Sequence, residues 1–282
     1  MQHVVSVPPA PYRAHSGHFE VHLVPAAEDN LSFILVCSET GEAAVIDGPD
    51  AEVVLDYAAE HDLQLRMVLN THTHGDHVGL NRGLKNALGA HLRIVGPAVV
   101  AQAVPSLTRG VDEGDEIALG ALRIKVLRTD GHLFGHLSFL IEEALFCGDT
   151  LFTGGSGRVF SGDYPAMQAS LAKLRALPGD TRIFCAHEYT SDCLAFALSV
   201  EPDNLALQAR AARTAALRAR GETLVPGLLS EERETNPMLR WDAPRLLAGL
   251  DRAYAGARVL STPADVYRAV RELKDSGRYR KA

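Results

Sequence analysis

From residue 19 the chain alternates and then turns apolar. FEVHLV, LSFILVC and AAVIDG read as three strands. Asp50 precedes AEVVLDYAAEHD, whose period is helical and whose first residue follows a natural N-cap. RMVLN is a short apolar strand, so strand, helix and strand predict a parallel pair joined by a crossover. VGLNRGLKNALG then reads as a helix closed by Gly89, and LRIVG as a further strand. EIALGALRIKVLRT predicts a hairpin turning at Gly120, and LSFLIEEALFCGDT a second turning at Glu142–Glu143. AMQASLAKLRAL is helical and TRIFCAHEYT is a strand.

Beyond residue 195 the period changes. LALQARAARTAALRAR, APRLLAGLDRAYAG and ADVYRAVRELKDSG all repeat at helical spacing. The pattern therefore predicts a loose, proline-bearing extension over residues 1–18, a layered α/β catalytic region over 19–194 and a helical region over 195–282.

At 282 residues, 46% hydrophobic and 22% charged, the chain can bury a sizeable core without disulfides. The formal net charge is −7 and no Lys/Arg run occurs, which argues against nucleic acid as a partner. No apolar stretch reaches the ~18 residues that a membrane span needs, and the N-terminal residues lack the layout of a secretory signal. The four cysteines form no CxxC pair, and three sit in apolar runs. A reducing, cytoplasmic setting is expected. Nothing in the pattern bears on oligomeric state.

The chemistry concentrates in THTHGDH, residues 71–77, which follows the RMVLN strand directly. His72 and His74 share one face of an extended segment. Gly75 permits a tight turn, so Asp76 and His77 can address a second position. Three later ligand types also stand where a strand runs into a turn: His132 in TDGH, Asp149 in CGDT and His187 in CAHE. Seven ligands serve two metals if one carboxylate bridges. Asp149 is the expected bridge, with His72, His74 and His132 on one ion and Asp76, His77 and His187 on the other. Such a pair, about 3.5–4 Å apart, clamps one hydroxide. Asp76 and Asp149 are the expected catalytic carboxylates. His136 and Asp47 are expected to orient the ligands. Zinc, iron and manganese all suit this donor set, and zinc is favoured.

These residues resemble the metallo-β-lactamase superfamily signature, HxHxDH with a later His, Asp and His. That family has an αββα sandwich. Within it, THTHGDH, GDTLFTGGSGR, AHEYT and NPMLR resemble segments of glyoxalase II, the hydroxyacylglutathione hydrolases, whose extra helical domain closes over the substrate. The resemblance implies hydrolysis of S-(2-hydroxyacyl)glutathione thioesters such as S-lactoylglutathione, and glutathione contacts at Arg158, Tyr189 and Arg240. Three positions depart from the family pattern: Phe160 replaces a usual Tyr, Leu133 a usual Thr, and no lysine follows NPMLR. They bear on the substrate, not on the metal chemistry. The alternative within the superfamily is a single-iron persulfide dioxygenase using His72, His132 and Asp149.

Overall fold

The computed structural model describes residues 3–161 and 163–281. Two mixed sheets face one another. The first has seven strands in chain order: β1 (Tyr12–Arg13), β2 (Phe19–Ala26), β3 (Asn30–Cys37), β4 (Glu42–Ile46), β5 (Gln64–Leu69), β6 (Arg93–Pro97) and β7 (Arg109–Val111). The pairs from β1 to β4 are antiparallel. From β4 onward they are parallel, as the strand–helix–strand reading required. The second sheet takes β8 (Glu116–Leu119), β9 (Leu122–Arg128), β10 (Leu137–Ile141) and β11 (Ala144–Gly148). Then β12 (Leu151–Phe152) and β13 (Gly155–Ser156) form a small ribbon of their own. The second sheet is completed by β14 (Arg182–Cys185), parallel to β11, and by β15 (Gly227–Leu228).

Phe33 from one sheet meets Phe146 and Phe184 from the other, with ring centroids 5.9 and 5.4 Å away, so aromatic packing ties the sheets together. The outer face of the first sheet buries Ile34, Val45 and Val68 against α1 (Ala51–Glu60) and α3 (Leu80–Leu88), which follows the one-turn helix α2 (Gly75–Val78). α1 starts where the sequence placed it, Asp50 accepting the Glu52 amide. α4 (Tyr164–Arg175) contributes Met167, Leu171 and Leu174 to the core between and beyond the sheets. The result is the α/β sandwich of helix, sheet, sheet and helix.

The helical segment follows: α5 (Thr190–Val200), α6 (Leu205–Arg218), α7 (Leu229–Thr235), α8 (Pro244–Tyr254) and α9 (Pro263–Asp275). Among the described residues no helix is long and apolar enough to cross a membrane.

Two features differ from the periodicity reading. The N-terminal extension is not loose: Tyr12 and Arg13 pair with Val21 and Glu20, and the Tyr12 hydroxyl donates to Glu143 at 2.8 Å. A two-residue strand is too short to show a period. The helical segment is also not purely helical, since β15 returns to the catalytic sheet beside β14. It is fastened to the β12–β13 ribbon as well. Glu232 accepts the Gly154 amide at 2.8 Å, Asn236 donates to the Gly155 carbonyl at 2.9 Å, and Arg271 donates to the Ser156 carbonyl at 2.9 Å. Buried Arg210 supplies the counter-charge to buried Glu232.

Candidate metal centre

Four chain segments leave strand ends on the same rim of the sandwich. THTHGDH follows β5, and its turn starts α2 with Asp76 and His77. His132 comes after β9, Asp149 directly after β11, and His187 after β14. Ligands gather beyond strand ends because there the backbone leaves the hydrogen-bonded ladder and side chains can converge. Convergence requires glycine at two places. Gly148 has φ 46°, and a Cβ there would stand 2.4 Å from Thr71 Oγ1. A Cβ on Gly157 would stand 2.0 Å from the Asp149 carbonyl oxygen.

All seven expected ligands meet. His74 Nδ1 lies 3.0 Å from His72 Nε2 and 3.0 Å from His132 Nε2. His77 Nε2 and His187 Nε2 lie 3.5 and 3.4 Å from Asp76 Oδ2. Asp149 stands between the two sets. Its Oδ2 is 3.5 Å from His132 Nε2, and its Oδ1 is 3.6 and 3.5 Å from His77 and His187 Nε2. The ligating atoms of His72, His74, His132 and Asp149 fall within 4.8 Å of one another, as do those of Asp76, His77 and His187.

The rings are oriented from behind, which sets their tautomers. His77 Nδ1 donates to Asp47 Oδ2 at 2.9 Å, His187 Nδ1 to Asp29 Oδ1 at 2.8 Å, and His132 Nδ1 to the Arg158 carbonyl at 2.8 Å. Each leaves Nε2 facing the centre. Asn30 donates to Asp76 Oδ2 at 3.0 Å. Asp47 also accepts from the Thr71 amide and hydroxyl at 2.8 and 2.6 Å. It does so at φ 53°, a strained conformation for a non-glycine residue. His136 is buried outside the ligand set; its Nε2 accepts the Asp149 amide at 3.2 Å. Burial pushes the His136 pKa well below its ordinary value, keeping it a neutral acceptor.

The electrostatics favour positive charge in the cavity. Burial pulls His72 well down, keeping it neutral and able to ligate. Burial also opposes charge on His187, yet hydrogen bonds to Asp29 and Asp76 and the Asp149 charge carry it up to about 10. Asp76 is held below the usual carboxylate range, first by its hydrogen bond with His187. Two buried atoms of the described ligand set, His77 Nε2 and Asp149 Oδ1, have no hydrogen-bond partner. Buried polar atoms rarely stay unpaired. An imidazole nitrogen and a carboxylate oxygen aimed at one point fit a divalent ion.

The centre opens into a cleft of about 540 Å³. Tyr189 lines it and stacks flat on His187, with centroids 4.8 Å apart and planes at 3°. Arg158 lines it too, its Nε 3.6 Å from Asp275 Oδ1. Phe160 stands edge-on to His74 and His132, with 61% of the residue exposed.

Arg240 does not reach the cleft, which corrects its placement from the sequence. Its guanidinium forms a two-pronged pair with buried Glu201 at 2.9 and 3.0 Å and borders a separate depression beside Pro244. A buried carboxylate demands a partner, and Arg240 is that partner. Among the described residues, the cations that reach the cleft from the helical segment are Arg271, Lys274 and Arg280. Lys274 thus reaches the cleft from α9, whereas no lysine follows NPMLR. A signal for it existed: Tyr267, Val270, Arg271 and Lys274 continue one buried face of α9, and charges on a buried face need a reason.

Residues 28–187 match the Metallo-beta-lactamase superfamily, and residues 188–277 match the Hydroxyacylglutathione hydrolase C-terminus. A hydroxyacylglutathione hydrolase of Rhodospirillum rubrum is 42% identical over 258 residues, covering 91% of this chain and 98% of that protein. One from Synechococcus sp. (strain JA-2-3B'a(2-13)) is 43% identical over 254 residues, covering 89% and 97%. The crystal structure of ETHE1 from Myxococcus xanthus superposes with a TM-score of 0.58 at 25% identity, over 88% of this chain and 94% of that one.

Proposed function

This chain belongs to the metallo-beta-lactamase superfamily and, within it, to the hydroxyacylglutathione hydrolases, and from that premise we propose that it hydrolyses S-(2-hydroxyacyl)glutathione thioesters, such as S-lactoylglutathione, to glutathione and a 2-hydroxy acid. We place the reaction at a centre for two divalent ions, zinc first among the candidates. The observation that carries this reading is the division of seven ligand residues into two sets that share Asp149, one oxygen to each.

His72, His74 and His132 would hold one ion, Asp76, His77 and His187 the other, and Asp149 both. When bound, such ions supply Lewis acidity and bring the pKa of a water toward ~7. The chain's own groups do the rest. Asp47, Asp29 and the Arg158 carbonyl fix three imidazoles so that no ligand reorients during the reaction. Phe160 and Phe152 wall the cleft beside the ligands with apolar surface. Arg158, Arg271 and Lys274 give its outer end the cations that a peptide with free carboxylates requires. The leaving thiol has an ordinary pKa of about 8.5, so it departs as thiolate without a dedicated general acid. None is needed from the chain.

The test is thiol release from S-lactoylglutathione by the metal-loaded protein, with metal counted on the same sample. Rapid release with two ions per chain is expected. One iron per chain with no release would transfer the site to the persulfide dioxygenase reading.

A further inference from the structure

Residues 3–7 strap the turn between β2 and β3 to the loop after α6. On the turn, the Val4 amide donates to the Glu28 carbonyl at 2.9 Å, and His3 Nε2 donates to the Asn30 carbonyl at 2.9 Å. His3 Nδ1 accepts the Val5 amide at 2.8 Å, which leaves Nε2 as the donor. On the loop, the Gly221 carbonyl takes the Ser6 and Val7 amides at 3.0 and 3.1 Å, and Arg218 donates to the Val4 carbonyl. Val5 between them is buried in the core. The turn so held carries two groups of the metal centre: Asp29 takes His187 Nδ1 at 2.8 Å, and Asn30 donates to Asp76 Oδ2 at 3.0 Å. Its shape is not one the chain adopts freely, since Ala27 sits at φ 53°, a left-handed conformation that costs an alanine energy.

We propose that His3 is a positioning residue for one of the two ions: through the strap it fixes Asp29 and Asn30, and so sets the affinity of the Asp76, His77 and His187 set while leaving the His72, His74 and His132 set alone. This rests on the two-ion reading above. The selectivity follows from where the supports come from. His72 and His132 are oriented by Thr71 and by the Arg158 carbonyl, neither of which belongs to the turn. His187 and Asp76 both depend on it. Their hydrogen bonds are also the open ones: the Asp29 and Asp76 side chains are 30% and 41% exposed, whereas His72 and His132 are buried. Where water competes for a hydrogen bond, an orienting group works only as well as its backbone is held. His3 acts here as a hydrogen-bond donor, so a glutamine amide can take its place.

The experiment titrates the metal-stripped full chain with zinc against a chelating indicator, which gives two stepwise affinities. Wild type, His3→Ala, His3→Gln, Asp29→Ala and the double variant His3→Ala/Asp29→Ala are compared. His3→Ala should weaken one step about three- to tenfold, the worth of one neutral hydrogen bond. It should be the same step that Asp29→Ala weakens more, with the other step unchanged and KM for S-lactoylglutathione at its wild-type value under saturating zinc. His3→Gln should recover most of the loss. In the double variant His3→Ala should add nothing, because its effect passes through Asp29. Both steps falling together would overturn the proposal and leave the strap a general stabiliser. Two unchanged steps, or a fully additive double variant, would overturn it as well. Should His3→Ala not fold, Arg218→Ala, which frees the strap from the helical segment, should weaken the same step, and no change there would overturn it. A wild type that binds a single zinc would strike the two-ion reading itself, and this proposal with it.

Discussion

The two ends of the cleft are built by different means. At the inner end, five of the seven ligand side chains, His72, Asp76, His77, His132 and His187, have a hydrogen-bond partner outside the ligand set, His136 accepts the Asp149 amide, and most of the ligands are buried. At the outer end, Arg158, Lys274 and Arg280 pair with Asp275 and Asp192 across two helices, the loop after β13 and the turn Arg278–Lys281. The inner end is held by hydrogen bonds among mostly buried groups. The outer end is built from ion pairs between side chains that are in part exposed, where each pair contributes little. Chemistry needs fixed geometry, whereas recognition works through partly exposed charge.

The comparison breaks first at Asp149. Because one residue serves both ligand sets, Asp149→Ala should lose both ions and lower kcat/KM by about 10³-fold or more, the scale of losing metal assistance. His187→Ala should mainly weaken one ion. Elemental analysis of both variants decides it; two ions retained in Asp149→Ala would end the bridging assignment. Next comes the support behind the ligands. Asp47→Asn keeps the shape but spoils the acceptor for His77 and Thr71. It should cost about 10–100-fold in metal affinity with KM little changed once metal is saturating.

Mutations at the outer end should behave oppositely. Lys274→Ala should raise KM for S-lactoylglutathione about tenfold, leave metal content alone and spare a small acyl thioester. Arg158→Ala should do the same more weakly, a few-fold, because its side chain is 67% exposed and its pair with Asp275 is long. Its backbone carbonyl still orients His132 in that variant. Equal loss on both substrates, carried by kcat, would place Arg158 in the chemistry instead.

The same contrast explains what the sequence could be made to say. Metal ligands announce themselves because coordination needs rare residue types at strand ends, and THTHGDH compresses four of them into one turn. The helix stop at Gly89, the hairpin turns at Gly120 and Glu142, and the Asp50 cap were legible for similar local reasons. The cations of the helical segment carry a weaker mark, the buried face of α9. Arg240 and Lys274 are both cations in the helical segment, and only the tertiary partner separates them: buried Glu201 claims Arg240, while α9 turns Lys274 toward the cleft. Asp29 lies in a turn between two strands and reads as turn chemistry until His187 arrives from 158 residues away. The ribbon β12–β13 was invisible because it is held from outside, by Glu232, Asn236 and Arg271.

The most direct measurement is a metal titration. Metal-stripped protein is given zinc in sub-stoichiometric steps, with bound ion and S-lactoylglutathione hydrolysis followed together. Two shared ligand sets predict saturation at two equivalents per chain, with activity reaching its plateau only as the second equivalent binds. Full activity at one equivalent, or two bound ions with no thioester hydrolysis, would contradict the account.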